Sequence, residues 1–447
     1  MEKPGYTIFT WGCQMNEEDT EQMALQLEAM GYQPVSNPDQ AQVVLLNTCS
    51  VRLKPEEKVY SKLGELAALK ERRPDLIVGV CGCMAQVQSE QIRRRAPCVD
   101  FVMGTGAIGK LPQLLRAVQA REAPGLVSAL DLPPRKGSRV ADVPVRSLQR
   151  KPKLKAHVPI MYGCDKFCTF CIVPLTRGRE RSRPPEEILA EIQMLAHSGT
   201  REVTLLGQTV NSYGRNLPGQ RMTFARLLER ISEIRGIQRI RFTSPYPKDF
   251  TEELIGAMAR LPKVCRHVHL PLQSADDAVL LAMHRGYTVA QYRIIVSQLR
   301  QAMPDISITT DLMVGFPGET EAQFLNTLNF VEEVRFDGAF MFAFSPRPGT
   351  KAASMPNQIP REVKVDRLNR LIARVNAIVV EKHQSLVGRT FEVLVEGPSP
   401  RDPAVLTGRT SCFRTMVFAA SREFVGKLVP VRATEAHLWG FKGEICL

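Results

Sequence analysis

No run of about eighteen apolar residues occurs anywhere in the 447-residue chain, which argues against a membrane-spanning helix. The opening residues, MEKPGYTIFTWGC, lack the basic, apolar and small-residue segments of a secretory signal. A cytosolic, reducing environment is therefore expected, and there eleven cysteines read as metal ligands or reactive thiols before disulfides. Acidic residues are in deficit, 46 against 59 Lys and Arg, leaving a formal charge of +13. Such an excess suits a polyanionic partner, nucleic acid before membrane, although a solvated basic surface would produce the same count. Apolar content of 44% is ordinary for a globular protein with a sizeable core.

The pattern along the chain divides it. YTIFTWG, VVLLN, LIVGV and FVMG are strand-like and alternate with helix-like NEEDTEQMALQLEAMG, PEEKVYSKLGELAALKER, QSEQIRRRA and IGKLPQLLRAVQA. This alternation predicts an N-terminal α/β domain with a parallel sheet over residues 1–120. Residues 121–155 break the pattern and read as a basic linker. Six further strand candidates, HVPIMYG, EVTLL, QRIRF, HVHLP, ISITTDLMVG and DGAFMFAF, alternate with helical segments over 156–384. Six repeats are too few for a closed eight-fold barrel, so an open partial (β/α)6 barrel is expected. From 385 to 447 short strands separated by Gly and Pro predict a small OB-like β-barrel.

The segment GCDKFCTFC places Cys164, Cys168 and Cys171 in one loop, with no fourth cysteine. A closed structural zinc site takes four protein ligands, and a cubane iron–sulfur cluster normally has four thiolates. Three would leave one iron open to bind a cofactor. The loop follows the first barrel strand at its C-terminal end, where such barrels place their chemistry. A zinc site completed from elsewhere, or three incidental thiols, is the plainer alternative. The C-x3-C-x2-C spacing resembles the radical S-adenosylmethionine superfamily. That resemblance implies a cofactor whose methionyl group chelates the open iron, and whose sulfonium is cleaved to a 5′-deoxyadenosyl radical.

Cys13, Cys49 and Cys83 each lie just beyond a predicted strand of the first domain, and those strand ends line one crevice in an open parallel sheet. Gly12 and Gly82 precede two of them, where a missing side chain would ease approach of a bulky group. Cys81 competes with Cys83, because alternation would aim both to the same side. Small buried thiols are the alternative for all of them. Cys98, Cys265, Cys412 and Cys446 have no partner pattern.

TWGCQMNE, LLNTCSVR, GCMAQ, GCDKFCTFCIVPLTRGRERSRP, LLGQTVNSYG, HLPLQSADD, GFPGET and FSPRPGTKAA together resemble the tRNA methylthiotransferases, closest to those acting on N6-dimethylallyl-adenosine. The resemblance spans nearly the whole chain, including a C-terminal segment similar to the TRAM module, a small RNA-binding barrel. It implies two 4Fe-4S clusters, one on Cys164, Cys168 and Cys171 and an auxiliary one on Cys13, Cys49 and Cys83, with Cys81 a neighbour. It also implies addition of methylthio to carbon 2 of the modified adenine at tRNA position 37, using S-adenosylmethionine twice. Threonylcarbamoyl-adenosine in tRNA, or an Asp of a ribosomal protein, is the substrate of sibling enzymes. An RNA-binding iron–sulfur protein that only transfers electrons or senses iron is the reading from another class.

Gln208, Asn211, Gln273, Ser274, Asp311 and Arg285 fall near the expected catalytic mouth and are candidates for holding S-adenosylmethionine. Arg177, Arg179, Arg181, Arg183 and Arg347 are candidates for tRNA backbone contacts there, and Arg409, Arg414, Arg422 and Lys427 in the C-terminal barrel. Phe413 and Phe418 are candidates for stacking on bases, with core packing expected for at least one. Tyr246 stands in TSPYPKDF where the family usually has His. The partners expected are tRNA and a reducing electron donor, with no membrane, for a cytoplasmic monomer.

Overall fold

The computed structural model describes residues 3–50, 53–120, 125–132, 150–217, 219 and 222–446. Its first unit comprises β1 (Gly5–Trp11), α1 (Gln14–Ala29), β2 (Gln33–Pro34), β3 (Ala41–Thr48), α2 (Leu53–Arg72), β4 (Ile77–Gly82), α3 (Cys83–Arg95), β5 (Phe101–Met103), α4 (Leu111–Gln119) and β6 (Val127–Ala129). The strands form one parallel sheet in the order β2-β1-β3-β4-β5-β6. β3 shows why: Val43 and Leu45 enter the core on one face, and Val44 and Leu46 enter the core on the other. An uninterrupted apolar strand is stable only when helices cover both faces.

The expected linker 121–155 is corrected by β6, which pairs with β5 as the sheet's edge. A strand of three residues is too short to show periodicity. Residues 133–149, with most of the basic stretch, lie outside the described residues.

The central unit runs β7 (Lys155–Pro159), β8 (Met161–Tyr162), α5 (Val173–Thr176), β9 (Arg181–Ser182), α6 (Pro185–His197), β10 (Glu202–Leu206), α7 (Phe224–Ser232), β11 (Arg239–Phe242), α8 (Glu252–Arg260), β12 (His267–His269), α9 (Asp277–Ala282), α10 (Val289–Ala302), β13 (Ser307–Val314), α11 (Glu321–Val334), β14 (Gly338–Ala343) and α12 (Arg361–Gln384). β7-β10-β11 and β12-β13-β14 are parallel triplets, and an Ile240–Val264 bridge joins them. The result is six strands curved into an open barrel, with β7 and β14 at its two edges. Capping boxes start α10 at Thr288 and Gln291 and α11 at Thr320 and Gln323, satisfying donors that a helix start leaves orphaned.

The last unit is a closed barrel, β15-β16-β17-β19-β18, built from β15 (Thr390–Pro398), β16 (Leu406–Thr410), β17 (Thr415–Ala419), β18 (Leu428–His437) and β19 (Gly440–Ile445). It docks where the central strands begin. Arg239 donates to the Glu392 carbonyl at 2.9 Å, and Arg241 to those of Ser411 and Thr410 at 3.0 and 2.8 Å. The Phe413 ring stacks on His267, with centroids 5.0 Å apart. No helix among the described residues is long and apolar enough to cross a membrane.

The first two units are joined by buried charge. Arg150 pairs with Glu21 and Glu191, both at 2.8 Å, and Arg183 also pairs with Glu191 at 2.8 Å. All but Glu21 are at most 2% exposed in their side chains. Replacing Glu191 with Ala leaves two guanidinium groups inside without that partner. The expected cost is about 3–5 kcal/mol of stability, read as a lower midpoint in chemical denaturation.

Candidate functional site

The parallel register sets Trp11, Thr48 and Gly82 side by side at the ends of three adjacent strands, β1, β3 and β4. The cysteines come next in each case: Cys13 caps α1, Cys49 directly follows β3, and Cys83 opens α3. The Cys49 thiol lies within hydrogen-bonding reach of those of both Cys13 and Cys83. That contact is the main cause holding the Cys13 and Cys83 thiols below the ordinary thiol value, and the positive charge of Arg177 acts the same way. Cys49, in contact with both, is pushed upward by those same contacts. Both low-pKa thiols sit at helix starts, the usual place for reactive or metal-binding cysteine.

Asn16 and Asn47 hold this crevice together. The Asn16 Oδ1 accepts from the Cys13 thiol at 3.3 Å, and its Nδ2 donates to Asn47 Oδ1 at 3.1 Å. Asn47 Nδ2 donates to the Asn16 carbonyl at 2.8 Å and to Thr20 Oγ1 at 2.9 Å. In the sequence Asn16 falls in TWGCQMNE and Asn47 in LLNTCSVR, where Asn47 is a fully polar residue inside an apolar strand. The glycines serve the same packing. A Cβ on Gly12 would lie 2.5 Å from Asn16 Oδ1, and one on Gly82 2.8 Å from the Thr48 carbonyl. Both glycines are closely packed against protein, where a side chain would have to displace Asn16 or the Thr48 backbone. Gly82 also has φ +89°, which breaks the extended alternation. Cys81 and Cys83 therefore diverge: Cys81 packs in the core with Met23, Leu45 and Met103, while Cys83 joins the thiols.

The second set follows β8. Gly163, at φ +73°, lies so close to the Arg179 carbonyl that no side chain fits. The loop is pinned by Cys164 N–H donating to the Gly178 carbonyl at 3.1 Å and by Thr169, whose N–H and hydroxyl donate to the carbonyls of Met283 and Ala282 at 3.0 and 2.9 Å. Cys168 and Cys171 are bridged by a backbone bond of 3.0 Å. Burial pushes the Cys164 and Cys171 thiols up to about 12, so their ionised forms call for compensating positive charge. Arg285 supplies some, with Nη1 3.4 Å from Cys168 Sγ. It is held there by Tyr287 and the Pro271 carbonyl, both at 3.0 Å.

The two thiol sets lie on either side of the short helix α5. It begins two residues after Cys171, and it ends at Thr176, whose hydroxyl interacts with the Cys83 thiol. The next residue, Arg177, pairs with Asp19 on α1 at 2.9 Å. Among the described residues no three His, Cys, Asp or Glu side chains are arranged to hold a single metal ion. Each set offers only soft sulfur, and sulfur ligands to separate irons of one cluster need no common centre. The donors thus fit an iron–sulfur cluster better than a mononuclear ion.

The remaining expectations divide. Gln208 has a buried Oε1 with no hydrogen-bond partner among the described residues, an acceptor suited to a bound group. Asn211 is corrected: both ends of its amide bond the Tyr246 backbone at 2.8 Å. Ser274 is corrected too, being fully buried with its hydroxyl 3.4 Å from Thr327. Gln273 is buried at φ +74° and ties its backbone to Asp311 and Met313. Asp311 faces His269, at 3.2 Å. Tyr246 packs its ring between Lys166 and Arg285, at 5.0 and 4.9 Å.

The expected basic patch for tRNA is corrected at four positions, because their guanidinium groups are inside. Arg177 holds Asp19, Arg181 donates to the Arg177 carbonyl at 3.1 Å, Arg183 to that of Pro159 at 2.6 Å, and Arg347 lies 3.6 Å from Glu56. Arg179 is half-buried and paired with Asp165 at 2.5 Å. In the last barrel Arg414 is corrected to a docking residue, bound to Asp337 at 3.0 Å. Arg409 is half-buried over the Phe413 ring and 3.7 Å from Glu396. Phe418 is core, while Arg422 and Lys427 are exposed. Cys98, Cys265, Cys412 and Cys446 belong to neither thiol set.

Residues 5–104 match the family described as uncharacterized protein family UPF0004, 158–331 the radical SAM superfamily, and 384–445 the TRAM domain. The chain is 49% identical over 442 residues to a tRNA-2-methylthio-N(6)-dimethylallyladenosine synthase of Moorella thermoacetica, covering 98% of each. The protein of the same name from Carboxydothermus hydrogenoformans is 45% identical, with 100% of both chains covered. Among solved structures, the radical S-adenosylmethionine methyltransferase TsrM from Kitasatospora setae superimposes with a TM-score of 0.60 at 15% identity, over 79% of this chain and 75% of its own. The cobalamin-dependent S-adenosylmethionine radical enzyme OxsB gives 0.52 at 14% identity, over 84% and 56%. Both likenesses are of fold.

In cluster-free protein, iodoacetamide at neutral pH should label Cys13, exposed and low in pKa, well ahead of buried Cys81, whose thiol burial pushes up. Peptide mass spectrometry at short times reads the order.

Proposed function

The chain belongs to the tRNA-2-methylthio-N(6)-dimethylallyladenosine synthase family and is a radical S-adenosylmethionine methylthiotransferase; we propose that its two thiol sets hold two separate iron–sulfur clusters with separate duties. The observation that carries this is the placement of two three-cysteine sets across α5, linked by Thr176 and Arg177. When bound, the clusters supply reductive cleavage of S-adenosylmethionine at Cys164, Cys168 and Cys171, and presentation of sulfur at Cys13, Cys49 and Cys83. The substrate is carbon 2 of N6-dimethylallyl-adenosine at tRNA position 37, an aromatic carbon with no acidic proton for ordinary base catalysis.

The protein's own groups position and insulate. Arg285 offsets thiolate charge beside Cys168, and Gln208 offers its free carbonyl to the cofactor. Asn16 and Asn47 fix Cys13 relative to Cys49. Exposed Arg422 and Lys427 on the TRAM barrel suit phosphate contacts, and an anticodon loop already presents unstacked bases. Each thiol set is complete within one chain, which supports a monomer supplied by a reducing electron donor in the cytosol.

Anaerobic reconstitution should load about eight irons per chain, and about four when Cys13, Cys49 and Cys83 are all replaced by Ala. With reductant, Cys164→Ala should abolish 5′-deoxyadenosine formation. Cys13→Ala should retain cleavage but form no 2-methylthio nucleoside, by mass spectrometry of digested tRNA. Equal loss of cleavage in both variants would overturn the division of labour.

A further inference from the structure

Strand alternation gives the open barrel two different faces. Val268, Ile308 and Leu312 belong to the apolar core under the helices, and Ala339 and Met341 pack against it. The residues between them, His267, His269, Thr309, Asp311 and Phe340, therefore face the hollow. Phe340 lies directly opposite Asp311 in register, on edge strand β14, and is 60% exposed. Its ring meets that of His269 edge-on, with centroids 5.6 Å apart.

These polar groups form a chain. Thr309 Oγ1 lies 3.1 Å from His267 Nε2 and 3.0 Å from His269 Nδ1, and His269 Nε2 lies 3.2 Å from Asp311 Oδ1. One hydroxyl carries one proton. Every group is served when His267 donates to Thr309, Thr309 donates to His269 Nδ1, and His269 Nε2–H donates to Asp311. The second carboxylate oxygen, Oδ2, then has no hydrogen-bond partner among the described residues. The hollow thus presents a held acceptor beside an exposed aromatic ring.

We propose that Asp311 and Phe340 form the ledge that selects the N6-substituted adenine. Asp311 Oδ2 accepts the single N6–H, and Phe340 packs against the dimethylallyl branch. This rests on the tRNA reading above and says how the site chooses among modified adenosines. A secondary amine carrying a short apolar branch needs one acceptor with an apolar surface next to it. Carbon 2 is separated from carbon 6 by N1, so a base anchored through N6 leaves carbon 2 free to face the thiol sets. The ledge also rejects. A threonylcarbamoyl group is anionic, and Asp311 would meet it with like charge while Phe340 would leave its carboxylate unpaired.

The test is binding of reconstituted holoenzyme to three anticodon stem–loop RNAs differing only at the target adenosine: unmodified, N6-dimethylallyl and N6-threonylcarbamoyl, by fluorescence anisotropy. Wild type should prefer the dimethylallyl RNA over the unmodified one by about tenfold. Phe340→Ala should bring that ratio near one, and Phe340→Leu should keep most of it. Asp311→Ala should weaken the dimethylallyl and unmodified RNAs alike, since both donate from N6, and narrow the gap to the threonylcarbamoyl RNA. A Phe340→Ala protein that keeps the wild-type ratio overturns the ledge, as does a wild type with no preference. Failure of the underlying reading shows separately, as wild type that cleaves S-adenosylmethionine but forms no 2-methylthio product on the dimethylallyl RNA.

Discussion

The buried pair between Arg177 and Asp19 is the constraint on which the rest depends. Arg177 leaves the short helix that follows Cys171, and Asp19 sits on the helix that Cys13 caps. Both side chains are at most 4% exposed, so neither charge has water as an alternative partner. Separating them would strand a charge in the interior, a cost of about 3–5 kcal/mol. The pair therefore holds the N-terminal sheet over the open barrel in one orientation, and it brings two cysteine sets 80 or more positions apart in sequence to opposite ends of one helical turn. Arg177 adds positive potential to the thiols of Cys13 and Cys83, so the same group that docks the domains favours their ionised, ligating forms.

Around that roof the barrel divides its labour by strand alternation. The outward face is apolar and packed under helices, which gives a rigid wall. The inward face carries His267, His269, Thr309, Asp311 and Phe340, linked to one another through Thr309 and His269. The C-terminal barrel forms the floor. Arg239 and Arg241 reach down from the central strands to carbonyls of the 409–411 and 392 region, and Phe413 stacks on His267. The TRAM unit thus closes the chamber from below, and its arginines are divided between docking, as with Arg414, and the outside, as with Arg422.

Much of this was legible in order along the chain. Continuous apolar runs marked buried parallel strands, and Cys13, Cys49 and Cys83 stood where those strands had to end. The closeness of β1, β3 and β4 was not legible, since strand order is a matter of how helices pack, and it decides that the three thiols touch. The arginines of TRGRERSR misled for a related reason. A basic run reads as surface until partners distant in sequence are known, and Asp19 and Glu191 are such partners. Cys81 and Cys83 were inseparable by spacing, and the left-handed Gly82 between them turned one into the core and the other into the crevice.

What the sequence alone determined was the chemistry available: six cysteines at fixed distances from strand ends, a three-unit α/β, partial-barrel and small-barrel architecture, and a family resemblance carried by dense local motifs. These follow from short-range periodicity and from the covalent order of thiols. Tertiary structure alone decided which charges are interior, which polar side chains are already bonded, as with the Asn211 amide and the Ser274 hydroxyl, and which side chains line the hollow. Those outcomes depend on long-range contacts, and burial changes a polar group's role because, away from water, it must find a partner within the protein.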